Sequence, residues 1–215
     1  MLRAVTSLVA PPLCALCGSP CDRSDPICRA CERRVSELAA TRIVLPSGLE
    51  VISAAPYEGV ARELVRRMKF AARLNLAQVA AERMVRAWGA TRAGGLVPVP
   101  PAPARARARG YDTAYALARL VQRSTRARIR PVLARADGPR QVGRPRSQRL
   151  ADPPAITRVN PSIELPDELW LVDDVVTTGA TLDACAAVLH AAGSSTVRAL
   201  TFARADSLGP AALAA

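Results

Sequence analysis

Leu169-Trp170-Leu171-Val172-Asp173-Asp174-Val175-Val176-Thr177-Thr178-Gly179-Ala180-Thr181 is the most specific stretch of this chain. Its apolar start predicts a buried strand. That strand delivers two adjacent carboxylates to its C-terminal end, where ligands bind in open α/β sheets. The turn at 177–181 then opens a helix, predicted from about 181 to 192, and a strand follows at Val197-Arg-Ala-Leu-Thr-Phe202. Backbone amides, three hydroxyls and the positive end of the helix dipole make the turn a cradle for a phosphate dianion. The carboxylates repel such an anion. They suit a polyol or a metal-bound sugar lying beside it, and a sugar phosphate matches both halves. The plainer alternative is a strand-turn-helix with ordinary acidic and threonine caps. Two acids and three threonines around one glycine are more than capping requires.

Outward from this unit the chain alternates strand and helix, as a parallel α/β sheet demands. Val51-Ile52 and the alanines after them predict a buried strand. Helices follow, one from Tyr57 to Lys69 with Val60, Leu64, Val65 and Met68 on one face, and one carrying Leu76, Val79, Ala80 and Met84. A lysine closing a helix, as Lys69 does, is by default a solvated cation near the negative pole of the dipole. Leu96-Val-Pro-Val-Pro100 is a short strand ending in prolines, and Arg105-Ala-Arg-Ala-Arg109-Gly110-Tyr111-Asp112 is a basic loop. Ala114, Leu117, Ala118, Leu120 and Val121 mark another helix, and Pro131-Val-Leu-Ala134 another strand. Residues 135–162 are polar, rich in Arg, Pro and Gly, and without apolar periodicity; such a stretch is either functional or disordered.

With 215 residues and 22.7 kDa, the chain has room for one domain, or one domain and a small appendage. Its composition, 50% hydrophobic and 22% charged, excludes global disorder. No run reaches the roughly 18 apolar residues of a membrane span. The opening ten residues faintly resemble a signal peptide, but Pro11-Pro12 and paired cysteines stand where a cleavage site belongs. A cytoplasmic location is expected. Thirty basic residues against eighteen acidic give a net charge of +12, and all the basic residues but Lys69 are arginine. Arginine suits phosphate, so an anionic partner fits, although GC-rich coding produces the same bias with no functional demand.

Five of the six cysteines lie between residues 14 and 31. Cys14-Ala-Leu-Cys17 and Cys28-Arg-Ala-Cys31, ten residues apart, have the form of two knuckles holding one tetrahedral zinc ion. Gly18 suits the tight turn after the first pair. A redox dithiol or plain buried cysteines are the alternatives. Cys21 is either a substitute ligand or spare, and Cys185 reads as a small core residue. Four thiolates leave no open position for substrate, so the zinc is structural.

The acidic strand end and its threonine loop resemble the phosphoribosyl pyrophosphate signature of type I phosphoribosyltransferases. Set beside them in order are the four cysteines, the Tyr-x-Gly stretch leading to Lys69-Phe70, and Val97-Pro-Val-Pro100. The Arg-x-x-x-Arg-Gly-aromatic loop and the Gln141-Val-Gly segment ending in Arg149-Leu complete the series. Together they resemble the ComF family of competence-associated proteins, over residues 14 to about 202. The resemblance implies a type I phosphoribosyltransferase-like α/β fold, a parallel sheet flanked by helices. It further implies a zinc-binding module at 1–48 and a phosphoribosyltransferase-like domain at 49–215, with 49–90 as a hood and 135–162 as a flexible lid. Asp173 and Asp174 would hold the ribose hydroxyls and, through them and water, Mg²⁺. Thr177, Thr178, Gly179, Ala180 and Thr181 would grip the 5-phosphate, while Arg105, Arg109 and Gly110 would meet the pyrophosphate. Arg140 to Arg149 would close over the sugar and exclude water. Arg144 and Asp152 depart from the family's pattern.

No motif encodes the acceptor or a catalytic base, and His190 sits late in a helix behind the phosphate loop. Three functions stand open. One is phosphoribosyl transfer to an unidentified acceptor, and another is sugar-phosphate sensing without transfer. The third is nucleic-acid handling, with single-stranded DNA and proteins of DNA uptake as partners; homo-oligomers are compatible with each. Only 3% of residues are aromatic, which weighs against stacking of single strands, although Tyr111 and Tyr115 adjoin the basic loop.

Overall fold

A computed structural model describes residues 12–21, 26–69, 75–89, 94–104, 107, 110–136 and 154–205. The described strands are β1 (Thr41–Val44), β2 (Glu50–Pro56), β3 (Leu96–Pro98), β4 (Leu133–Arg135), β5 (Ile156–Arg158), β6 (Glu168–Val176) and β7 (Thr196–Arg204). The described helices are α1 (Arg29–Ser36), α2 (Gly59–Met68), α3 (Asn75–Trp88), α4 (Thr113–Ser124) and α5 (Ala180–Ala191). Five strands form one sheet in the order β1-β2-β7-β6-β3. The last four run parallel, and β1 pairs antiparallel with β2 at the edge.

Both faces of the sheet are covered, which explains why its strands read as nearly continuous apolar runs. Alternation along β6 sends Trp170 and Val172 into the core beneath α2, α3 and α4, and Leu169 and Leu171 into the core beneath α5. Register is shared across the sheet: Pro98, Val172, Leu200 and Ile52 lie in one row, and Asp173, Thr201 and Ser53 in the next. In that second row the buried Ser53 and Thr201 hydroxyls bond each other at 2.7 Å, so neither is left unpaired.

The two ends of the sheet differ. At the N-terminal ends of the strands Arg198 bonds Glu50 and Glu168 and lies over the Trp170 ring, which ties β2, β6 and β7 together. At the C-terminal ends the connections diverge, because β3 leads to α4 on one face and β6 to α5 on the other. Such a divergence between neighbouring parallel strands leaves a crevice at their carboxyl ends.

Three departures from expectation have local causes. β1 lies before residue 49, yet it is the edge strand of the central sheet. Its four residues bury only Ile43 fully and show no long apolar run. β5 was not foreseen within the polar stretch 135–162; three residues suffice because β4 supplies the partner. The remainder of the expected lid, 137–153, lies outside the described residues. The cysteine segment shares its core with α2 and α3: Cys14, Leu16, Ile27, Cys31 and Val35 are buried in the same cluster as Leu64, Met68 and Ala80.

Candidate functional site

Four sulfurs form the first site. The Sγ atoms of Cys14, Cys17, Cys28 and Cys31 lie within 4.8 Å of one another, close enough to bind one metal ion. Cys17 and Cys28 are 3.8 Å apart, the edge of a tetrahedron with zinc–sulfur arms of about 2.3 Å. The knuckles act as the spacing predicts: amides of Cys17 and Cys28 donate to Cys14 Sγ at 3.4 and 3.3 Å, and Gly18 turns the chain at φ +78°. Hydrogen bonds from Ser19 hold the Cys17 thiol low, at about 6. Burial raises Cys14, but amides of Cys17, Cys28 and Leu16 outweigh it and the net shift is downward. Cys31 is pushed up, by burial first and then by the neighbouring sulfurs. A cation that takes up the last proton's place completes such a set. Cys21 is buried beside the cluster but is not one of the four.

The second site is the crevice. A cavity of about 250 Å³ opens there, below the roughly 300–1,000 Å³ of sites for drug-sized ligands and suited to a compact polar one. Asp173, Asp174, Thr177 and Thr181 line it, opposite Val99, Pro100 and Pro101 after β3 and Tyr111, Asp112 and Thr113 at the start of α4. Tyr57, Lys69 and Arg135 complete the polar wall.

The two carboxylates are not equivalent. Asp173 continues the Leu169-Leu171 parity, and its charge, after burial itself, helps push the Cys185 thiol on α5 up to about 12. Its Oδ1 accepts from the Asp174 amide at 2.8 Å. Desolvation, together with the charge of Asp174, raises the Asp173 carboxyl well above the usual range. Asp174 takes the other face and meets Lys69, whose Nζ lies 3.0 Å from Oδ2. The default expectation for Lys69 therefore fails. Its side chain is only 28% exposed, and it pairs with a carboxylate that is 11% exposed. Being the sole lysine among thirty basic residues was the signal in the sequence that marked it.

The threonines divide as well. Thr177 and Thr181 line the cavity; Thr178, exposed like Thr177, does not line it, and its Oγ1 accepts from the Ala180 amide at 3.4 Å. Gly179 is the N-cap of α5 with φ +82°, and a Cβ built on it would lie 2.5 Å from Leu45 Cδ1. Leu45 belongs to the β1–β2 turn, which Leu45 and Gly48 close through backbone bonds at 2.9 and 2.8 Å. Ser47 Oγ in that turn donates to Asp183 Oδ1 on α5 at 2.6 Å. An edge hairpin thus braces the loop against the sheet, a contact no motif announced.

Asp112 and Thr113 were also not singled out. Asp112 caps α4, accepting from the Tyr115 amide at 3.0 Å, and burial pushes its carboxyl up. The Thr113 hydroxyl is buried without a hydrogen-bond partner among the described residues. Gly110 precedes them, exposed, at φ +72°. Arg105, Arg109, Arg140 and Arg149 lie outside the described residues. His190 is exposed and donates from Nδ1 to the Ser194 carbonyl at 2.8 Å, away from the cavity. Among the described residues no helix is long and apolar enough to cross a membrane.

In comparisons with known proteins, no family model matches this chain, and no curated protein does.

Proposed function

We propose that this protein binds phosphoribosyl pyrophosphate with Mg²⁺ at the β6 crevice and transfers phosphoribose to an acceptor, as a type I phosphoribosyltransferase-like member of the ComF family. One observation carries the proposal. Two carboxylates, two threonine hydroxyls and the N-terminus of α5 converge on a single cavity where β3 and β6 diverge. A phosphate seated at 177–181 meets amides and a positive dipole end. A ribose beside it presents its diol to Asp173 and Asp174. Beside Lys69 and Arg135, the described lining holds carboxylates and hydroxyls and neither sulfur nor imidazole, the donor chemistry that a hard cation such as Mg²⁺ takes. Asp173 and Asp174 would hold Mg²⁺ there, and its charge would favour departure of pyrophosphate. The chain's own Arg135, on the cavity wall, would serve the same end, and the resemblance assigns Arg105 and Arg109 to it as well. Stabilisation of this kind needs no dedicated base. In the same proposal the cysteine cluster holds structural Zn²⁺ and takes no part in chemistry.

Calorimetry with phosphoribosyl pyrophosphate and Mg²⁺ tests this. The wild type is expected to show saturable binding, and Asp174→Asn to weaken it by about 1.5–3 kcal/mol, ten- to a hundredfold. Release of pyrophosphate in a screen of nucleobases and amines then separates transfer from sensing. Absence of saturable binding by the wild type rules the function out.

A further inference from the structure

We propose that Lys69 is a resident counter-cation of the acidic pair, a positioning residue that holds Asp174 until a ligand and its divalent cation displace it together. The inference rests on the functional proposal above, in which Asp173 and Asp174 receive a sugar diol and a cation. It adds an order of binding: the cation does not enter ahead of the sugar phosphate.

Charge and placement lead to this. The cavity gathers three carboxylates, Asp112, Asp173 and Asp174. Like charges so near one another raise the cost of ionisation. Lys69 relieves this directly by standing 3.0 Å from Asp174 Oδ2. A free acidic pair at a strand end would recruit divalent cations from solvent. Here one carboxylate already carries a cation of the protein's own. Lys69 reaches it from the C-terminal end of α2, as the C-cap of that helix.

The kind of cation matters. Twenty-nine of the thirty basic residues are arginine, so a lysine at one position is not explained by the chain's general preference. Arg66 and Arg67, the nearest cations on α2, pair with Glu63 instead. A guanidinium opposite Asp174 would bind it bidentately through a rigid planar fork. An ammonium is a compact point charge on a flexible stem, which makes one contact and can turn away from it. In a cavity of about 250 Å³ it also takes less of the ligand's room. Displacement thus favours lysine, and permanent neutralisation would favour arginine.

The test measures Mn²⁺ binding to the full-length, zinc-loaded protein by electron paramagnetic resonance, with no sugar ligand present. Wild type is expected to bind Mn²⁺ weakly. Lys69→Met is expected to bind it at least tenfold more tightly, and Lys69→Met combined with Asp174→Asn to return to the wild-type value. Lys69→Arg is expected to bind no better than wild type. Lys69→Gln serves as the second variant if circular dichroism shows Lys69→Met to be unfolded. The proposal is overturned if removal of the ammonium leaves Mn²⁺ affinity unchanged, or if the gain survives Asp174→Asn. Because no sugar phosphate is used, this outcome is independent of the calorimetry above: failure there removes the substrate, and failure here removes the counter-cation.

Discussion

The cysteine cluster draws all its donors from residues 14–31, whereas the crevice takes its lining from segments spread between residues 57 and 181. The difference is one of span and of charge. Two short knuckles bring four thiols together through their own amides, so the donors are placed locally, even though Cys14 and Cys31 are buried in the core shared with α2 and α3. The crevice exists only where β3 and β6 part company, and its floor, wall and cation come from different elements. The cluster is a closed set of like groups that one ion completes. In the crevice opposite charges already balance in part, through Lys69 and Asp174. A local site sets its donor geometry within one short segment; a distributed one feels every strand and hairpin that holds its parts.

The contrast can be broken most directly at Cys31. Cys31→Ser removes one thiolate from a set whose metal is worth on the order of 10 kcal/mol in isolated zinc modules. Metal analysis should show loss of the bound ion, and thermal melting a large drop. The drop should extend to the α2–α3 core, because Cys31 shares that cluster. Retention of the metal would mean that Cys21 has replaced it.

The next effect sharpens the division of the threonines. Thr177→Val should weaken ribose 5-phosphate binding by about 1.5–3 kcal/mol, the value of a hydrogen bond to a charged group. Thr178→Val should cost less, since its hydroxyl serves the loop and not the cavity. Isothermal titration of the two variants in parallel checks the order, and equal losses would return Thr178 to the cradle.

Smaller again is Gly179→Ala. A left-handed φ costs an L-residue about 1–2 kcal/mol, and the new Cβ meets Leu45 at the brace. Chemical denaturation should register a loss of at least that size, accompanied by weaker phosphate binding. Unchanged stability would show that the β1–β2 turn yields freely.

The smallest effect is a pH dependence at Asp112. Its carboxyl is held above the usual range by burial, so its ionisation opposes folding. That penalty is absent below the unfolded-state value of about 4 and complete above the folded value. Asparagine caps a helix as well as aspartate does. Asp112→Asn should therefore raise the melting temperature at pH 7 and lose its advantage near pH 3. A constant offset across that range would assign the effect to something other than charge.

From the sequence alone came the elements that announce themselves by period: the strand into Asp173-Asp174, the helix behind it, the two helices after Tyr57 and the cysteine knuckles. Each depends on residues within a few positions of one another, and apolar spacing or a paired motif records such dependence directly. Tertiary structure alone decided what those residues face. Alternation and packing on opposite sides of the sheet made Asp173 and Asp174 unlike, one desolvated beside α5 and one paired with Lys69. They put Thr177 on the rim of the cavity and left Thr178 off it, brought Asp112 and Thr113 to the same wall, and set the β1–β2 turn against Gly179. These partners lie from tens of residues to more than a hundred apart. What joins them is strand order and the divergence of β3 and β6, which side-chain periodicity along the chain does not encode.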